Sequence, residues 1–254
     1  MFRASPFRLN MFQECPRRYK FHYIDNLKDV YGKSRPYFTM GDHVHATLKE
    51  FLSSVPIGGR NISKLEDLLR EKWKRNREGF SNIDDEKKWA EKALSQLRWF
   101  AHSQDLSVTP LMVEDYHTVE LASNITLVGK IDRVDGENDG SLHIIDYKTG
   151  KMPTQINETQ LHLYALILAK EQNLPVSKAS YLFLDACEFR TLEPTAADLE
   201  RATSYVIELV DRILMEAEYP ATPNEYCGTC DFIEICPRKE EAAKSTVGED
   251  TLDL

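Results

Sequence analysis

Three residues in the middle of the chain have the types and spacing for phosphodiester chemistry. The segment Gly129-Lys130-Ile131-Asp132-Arg133-Val134 sets an aspartate inside an apolar run. The segment Ile144-Ile145-Asp146-Tyr147-Lys148-Thr149-Gly150 ends a second run on an acid and a base two residues apart. Residues two apart on a strand share a face, so Asp146 and Lys148 project together and a neighbouring hairpin strand can bring Asp132 beside them. Two close carboxylates repel and need a countercharge. A hard divalent cation such as Mg²⁺ supplies it through oxygen ligands, polarises a phosphoryl oxygen and acidifies water. Lys148 would orient that water or offset charge on the phosphate. The plainer reading of the Asp146–Lys148 pair is a surface ion pair at a sheet edge. Asp132 resists that reading, because a carboxylate within an apolar strand needs a partner.

A second cluster is made of cysteines. Cys227, Cys230 and Cys236 follow a C-x2-C-x5-C spacing, Cys15 lies near the start and Cys187 stands apart. Three grouped thiols leave one position of a four-thiolate site to fill, and Cys15 fills it; Cys187 reads as a packed or free thiol. Four cysteines serve zinc or an iron–sulfur cluster equally well. Pro16 and Pro237 each follow a cysteine, as in bacterial ferredoxins. Either occupant would tie residue 15 to residue 227 and close a loop of most of the chain. Near the start, aromatic and basic residues alternate: Phe7, Arg8, Phe12, Arg17, Arg18, Tyr19, Lys20, Phe21, Tyr23. Such a track either grips single strands or packs its rings in the core and leaves its bases to solvent.

Taken together, the motifs around Asp132 and Asp146-Tyr147-Lys148 resemble those of PD-(D/E)xK nucleases, and of the RecB-like branch in particular. Gly41-Asp42-His43-Val44-His45 resembles the upstream helix whose histidine completes the metal site, and Gln160 with Tyr164 matches a Q-x-x-x-Y helix. The cysteines resemble the iron–sulfur variant found in AddB-type subunits and CRISPR-associated spacer-acquisition nucleases. The resemblance spans about Ser5 to Pro237. It implies that His45, Asp132, Asp146 and the Tyr147 main-chain carbonyl bind Mg²⁺ or Mn²⁺, that Lys148 is the catalytic lysine, and that Gln160 and Tyr164 hold DNA or position Lys148. It turns the four-cysteine site towards [4Fe–4S], with Zn²⁺ as the alternative. His43, two residues from His45 on a helix, would face elsewhere. Arg133 reads as a phosphate contact or as the ion-pair partner of the aspartate it follows, Arg17 and Arg18 as DNA contacts, and Glu120 as an outlying carboxylate near the site. The implied activity is a DNA exonuclease acting on single-stranded or frayed ends in repair, recombination or CRISPR adaptation. The alternative is a DNA-binding or assembly subunit whose nuclease works only with a helicase or integrase partner.

The elements that must position these residues follow from periodicity and breakers. Helices are expected over 8–23 with an interruption at Pro16, over 39–53, from a Ser63/Glu66 capping box through 74, and over 84–102. Asn26 to Pro36 reads as a loop. Strands are expected over 112–121, 125–134, 142–147 and 178–184, with helices over 159–172 and 195–216. That order gives an α/β fold, a restriction-endonuclease-like mixed sheet flanked by helices. Residues 1–110 form a helical region contributing Cys15 and His45, 111–237 the nuclease core with the cysteine cluster, and 238–254 a polar, disordered tail. The 254 residues are 42% apolar and carry a net charge of −9. The acidic balance argues against indiscriminate nucleic-acid binding. No run is long enough to cross a bilayer and the first residues lack the apolar stretch of a signal peptide, so a soluble cytoplasmic protein is expected.

Overall fold

The computed structural model describes residues 1–244. The chain opens with a short strand, β1 (Phe2–Ala4), then α1 (Pro6–Glu14), α2 (Pro16–Tyr19), a single π-turn over Lys20–Ile24, and α3 (Lys28–Tyr31). Ser5 caps α1 by accepting from the Arg8 N–H. The break between α1 and α2 falls at Cys15, whose extended backbone suits the residue before a proline. The stretch expected as a loop before Pro36 thus contains a turn of helix.

Three long helices follow: α4 (Pro36–Ser54), α5 (Ile62–Arg75) and α6 (Ile83–Ser103). Pro36 at the first position of α4 has the fixed φ that a helix start tolerates. Arg60 closes its other end, donating to the carbonyls of Leu52, Val55, Leu106 and Val108. These are carbonyls that an ending helix or a loop leaves unpaired. The cap of α5 is Asn61, which accepts from the Lys64 N–H, and not the predicted Ser63. Asparagine at that point outcompetes a serine two residues on, because it already holds the extended backbone of a cap.

The sheet comprises β2 (Met112–Ala122), β3 (Ile125–Gly136), β4 (Leu142–Lys148), β5 (Val176–Phe183) and β6 (Glu188–Leu192), with α7 (Thr159–Gln172) crossing from β4 to β5. With β1 it is six-stranded and mixed, in the order β1-β3-β4-β5-β6, β2 also pairing with β3. β3 and β4 are antiparallel, β4 and β5 parallel, β5 and β6 antiparallel. A parallel pair cannot be joined by a tight turn, so α7 is the crossover that β4 and β5 require. Helix α8 (Ala196–Met215) and a short α9 (Lys239–Ala242) complete the described chain. Helix α9 lies within the tail expected to be disordered; positions 245–254 of that tail lie outside the described residues.

Two compact units divide the chain. Among the described residues, one takes Met1–Lys33, Thr118–Gly129 and those from Ala196 on; the other takes Ser34–His117 and Lys130–Thr195. In the first, β1 runs parallel to the start of β3, and α8 packs on α1 and β1. In the second, Met40, Val44, Leu48, Phe51 and Leu52 of α4 form a buried stripe against Leu65 and Leu69 of α5, Leu97 and Phe100 of α6, and Ile145, Tyr147 and Leu182 of the sheet. The i, i+4 spacing of that stripe leaves the other face of α4 free for function. Among the described residues no helix is long and apolar enough to cross a membrane.

Candidate metal centre and cysteine cavity

The predicted acidic positions meet in one cleft of about 290 Å³, lined by Tyr37, Phe38, His45, Glu114, Lys130, Asp132, Asp146, Lys148, Gln160 and Tyr164 among others. Asp132 and Asp146 come from adjoining antiparallel strands. The last paired residues are Arg133 and Ile145. One residue beyond, the Asp132 carboxylate reaches across and accepts the Tyr147 N–H at 2.8 Å. That bond stands in for a ladder bond and fixes the carboxylate at the point where the strands part. Asp146 and Lys148 point to the same face of β4, as their spacing requires.

From α4, His45 Nδ1 donates to Asp132 Oδ1 at 3.2 Å and lies 4.0 Å from Glu114 Oε1. His43, one face away, is buried and donates to the Asn76 carbonyl at 2.8 Å. From α7, Gln160 donates to Asp146 Oδ1 at 3.3 Å and to the Tyr164 hydroxyl at 2.9 Å, and accepts from Lys148 Nζ at 2.8 Å. The i, i+4 pair Gln160–Tyr164 therefore bridges the acid and the base of β4. Lys148 Nζ also lies 3.0 Å from Asp146 Oδ2 and 4.9 Å from the Tyr181 ring centre. The contact to that buried oxygen is an ion pair.

The charges perturb one another strongly. Burial would lower the His45 pKa, but the Asp132 carboxylate, its hydrogen bond and the charges of Asp146 and Glu114 outweigh it and carry the imidazole to about 9. Burial opposes ionisation of Asp132 too, yet His45, the Tyr147 N–H and Lys148 hold it below the usual carboxylate range. Asp146 goes the other way: burial raises it, and the charge of Asp132 adds to burial against the pull of Lys148 and His45. Burial, reinforced by Asp146, pushes Tyr164 up, so it remains a neutral hydroxyl. Two carboxylates driven apart in this way are the kind of perturbation that clusters at functional sites.

Glu114 was not singled out by its sequence. It is buried on β2 with a left-handed backbone, φ +52°, and its carboxylate holds Lys130 at 2.6 Å and Lys49 at 3.7 Å. Donor atoms of His45, Glu114 and Asp132 all lie within 4.8 Å of one another, close enough to share one cation; among the described residues no other trio of such donors does. Asp146 stands outside that trio but lines the same cleft. Glu120, the carboxylate expected near the site from this strand, is exposed. Arg133 is buried and forked onto Asp135, its Nε at 2.8 Å, an ion pair with Asp135 and not with Asp132.

The other unit gathers Cys15, Cys227, Cys230 and Cys236 around a single cavity, with Phe21, Phe232 and Ile233 in its wall. All four thiols are free of disulfides. The Thr222 N–H points at Cys15 Sγ at 3.5 Å and the Asn224 N–H at Cys227 Sγ at 3.3 Å. Burial pushes the Cys230 thiol up. Arg17 and Arg18 line this same cavity; Arg17 donates to the Glu218 carbonyl and Arg18 pairs with Glu14, both at 3.0 Å. These arginines are thus spent beside the cysteines. Tyr19 and Phe12 of the basic–aromatic track are buried, and Arg8 sits over the Phe2 and Tyr23 rings. Only part of the track is core packing, for Phe7 is exposed and the rest are half-buried. Cys187 is an exposed thiol in the β5–β6 turn.

Comparison with known proteins gives the family. Residues 3–237 match the PD-(D/E)XK nuclease superfamily. A solved structure described as the crystal structure of SSO0001 aligns over 93% of this chain and 86% of its own, at 17% identity and a TM-score of 0.47. No curated protein matches. With the superfamily's pattern running through nearly all of its length and its acids converging in one cleft, the chain belongs to the PD-(D/E)XK nuclease superfamily.

Proposed function

We propose that this protein is a metal-dependent DNA exonuclease that hydrolyses phosphodiester bonds at single-stranded or frayed ends, with a structural [4Fe–4S] cluster. The observation that carries the hydrolytic reading is the convergence of the Asp132, Asp146 and Glu114 carboxylates in one cleft with His45 and Lys148. Buried carboxylates crowded together are costly unless positive charge meets them. Mg²⁺ or Mn²⁺ fits this oxygen-rich set and, when bound, polarises a phosphoryl oxygen and lowers the pKa of water. His45, Asp132, Asp146 and the Tyr147 main-chain carbonyl would hold it, with Glu114 beside them. His45 must give up its proton to take part. Lys148, steered by Gln160, offsets charge that develops on the phosphate, and Tyr164 keeps Gln160 in place.

Four cysteines around one cavity support a metal-bound occupant, and the resemblance to iron–sulfur nucleases favours a cluster over zinc. Backbone N–H groups aimed at two sulfurs, and the nearby arginines, suit the negative charge of a thiolate-bound cluster. Exonuclease mode, preference for ends, and work alongside a helicase or CRISPR integrase rest on the resemblance to RecB-like nucleases.

The test is cleavage of 5′- and 3′-labelled single-stranded DNA in Mg²⁺ or Mn²⁺. Asp146→Ala and Lys148→Ala should each lower the rate by about 10²-fold or more, with unchanged circular dichroism. Full metal-dependent cleavage by both variants would remove the assignment.

A further inference from the structure

The first turn of α4 brings two aromatic side chains, Tyr37 and Phe38, to the cleft that holds His45, Asp132, Asp146 and Lys148. Their ring centres are 4.6 Å apart, tilted by 58°. Phe38 is 44% exposed. A large apolar ring bared in a polar cleft gains from a flat apolar partner that covers it.

What that partner is follows from the helix. Positions 38, 42, 45 and 49 are separated by steps of four, three and four and form one stripe. Along it come Phe38, exposed Asp42, half-buried His45 and exposed Lys49. At about 1.5 Å per residue, Phe38 precedes His45 by about 10 Å and Lys49 follows it by about 6 Å. Lys49 and Lys130 converge on Glu114. A ligand lying along the stripe meets a ring, then the centre, then two ammonium groups. Asp42 lies between ring and imidazole in this order and repels phosphate there, so the turn favours a base over backbone. A nucleic-acid strand with one phosphate at the centre and a splayed base beside it has this pattern.

We propose that Phe38 is the platform on which the unpaired base next to the scissile phosphate stacks, and that it sets the selectivity for unpaired strands; the proposal rests on the nuclease reading above. A base within a duplex has its faces covered by its neighbours and cannot lie on the ring, whereas an unpaired base can.

The test uses the full chain carrying Lys148→Ala, in Mn²⁺, with oligothymidylates in which a single 2-aminopurine is moved along the strand. Fluorescence should be quenched at one position. Adding Phe38→Ala should restore it there and weaken single-strand binding about 5- to 150-fold, the span of one base–aromatic stack. Phe38→Trp should keep both, and an abasic residue at that position should make F38A and its parent bind alike. Absence of quenching at every position, quenching unchanged by F38A, or an equal loss of duplex affinity would overturn the proposal. The two readings separate on the chain with Lys148 intact. If it cuts no DNA while the stacking results hold, the nuclease reading fails and the platform stands. If it cuts and F38A leaves the single-strand KM unchanged, the platform fails and the nuclease reading stands.

Discussion

His45 ties the site to pH. Its folded pKa of about 9 lies above the ordinary 6.5 because three carboxylates surround it, burial notwithstanding. A cationic group raised in this way adds stability that is complete below pH 6.5 and is lost as pH climbs through 9. The metal-free protein should therefore show a falling urea midpoint between pH 6 and pH 9.5 in EDTA, and His45→Ala should flatten that part of the profile. With Mn²⁺ present the trend should weaken or reverse, since a cation takes the neutral imidazole and displaces its proton. A midpoint that stays level in the metal-free wild type would show that the His45–Asp132 pair does not form. At this scale the sequence was informative where chemistry left a mark on a pattern. Asp132 stood out as a charge in an apolar run. Glu114 did not, because Asp115 follows it and further polar residues flank it, and nothing in a one-letter string signals a left-handed backbone. Arg133 was readable as an ion-pair arginine but not its partner: Asp135, two positions along the same strand, shares its face and captures it.

Secondary-structure elements were legible in proportion to their apolar period. Helices α4, α6, α7 and α8 and strands β2 to β5 lie within a few residues of the expected bounds. Strand β1 has only three residues, too few to show alternation, and β6 (Glu188–Leu192) is largely exposed, so neither carries the pattern by which strands are read. Turns between elements depend on backbone freedom at two glycines. Gly79 has φ +88°, and a Cβ there would fall 2.6 Å from the Arg35 carbonyl carbon; Gly140 has φ +84° with open space around it. Gly140→Ala should cost about 1 kcal/mol from backbone strain alone, and Gly79→Ala about 2 kcal/mol or more because a clash is added. Denaturant midpoints measured side by side check the order. Equal losses would mean that the loop at Gly79 yields freely and does not pin the start of α4.

On the scale of the whole molecule, the mixed α/β fold and the family were readable from motif order. The grouping of distant segments was readable only where the cysteine spacing signalled it, at Cys15 with Cys227, Cys230 and Cys236, since periodicity carries no information on which stretches meet. The cysteine cavity draws on both ends of the chain, joining Cys15 to residues beyond Ala221. Anaerobic purification should give brown protein with broad absorbance at about 400 nm. Cys236→Ser should remove the colour and lower Tm by roughly 6–12 °C, taking a long-loop cross-link at about 3 kcal/mol and about 2–4 °C per kcal/mol. Colourless wild-type protein holding one zinc would refute the cluster. The division of the chain has one more consequence, for synthesis. Among the described residues, every segment of the unit bearing the acidic cleft has been synthesised by Thr195, whereas the unit bearing the cysteines waits for its final segment, from Ala196 on. Folding that proceeds as chain emerges would assemble the hydrolytic half first, leaving Cys15 the longest-exposed thiol and the insertion of iron and sulfide a late event.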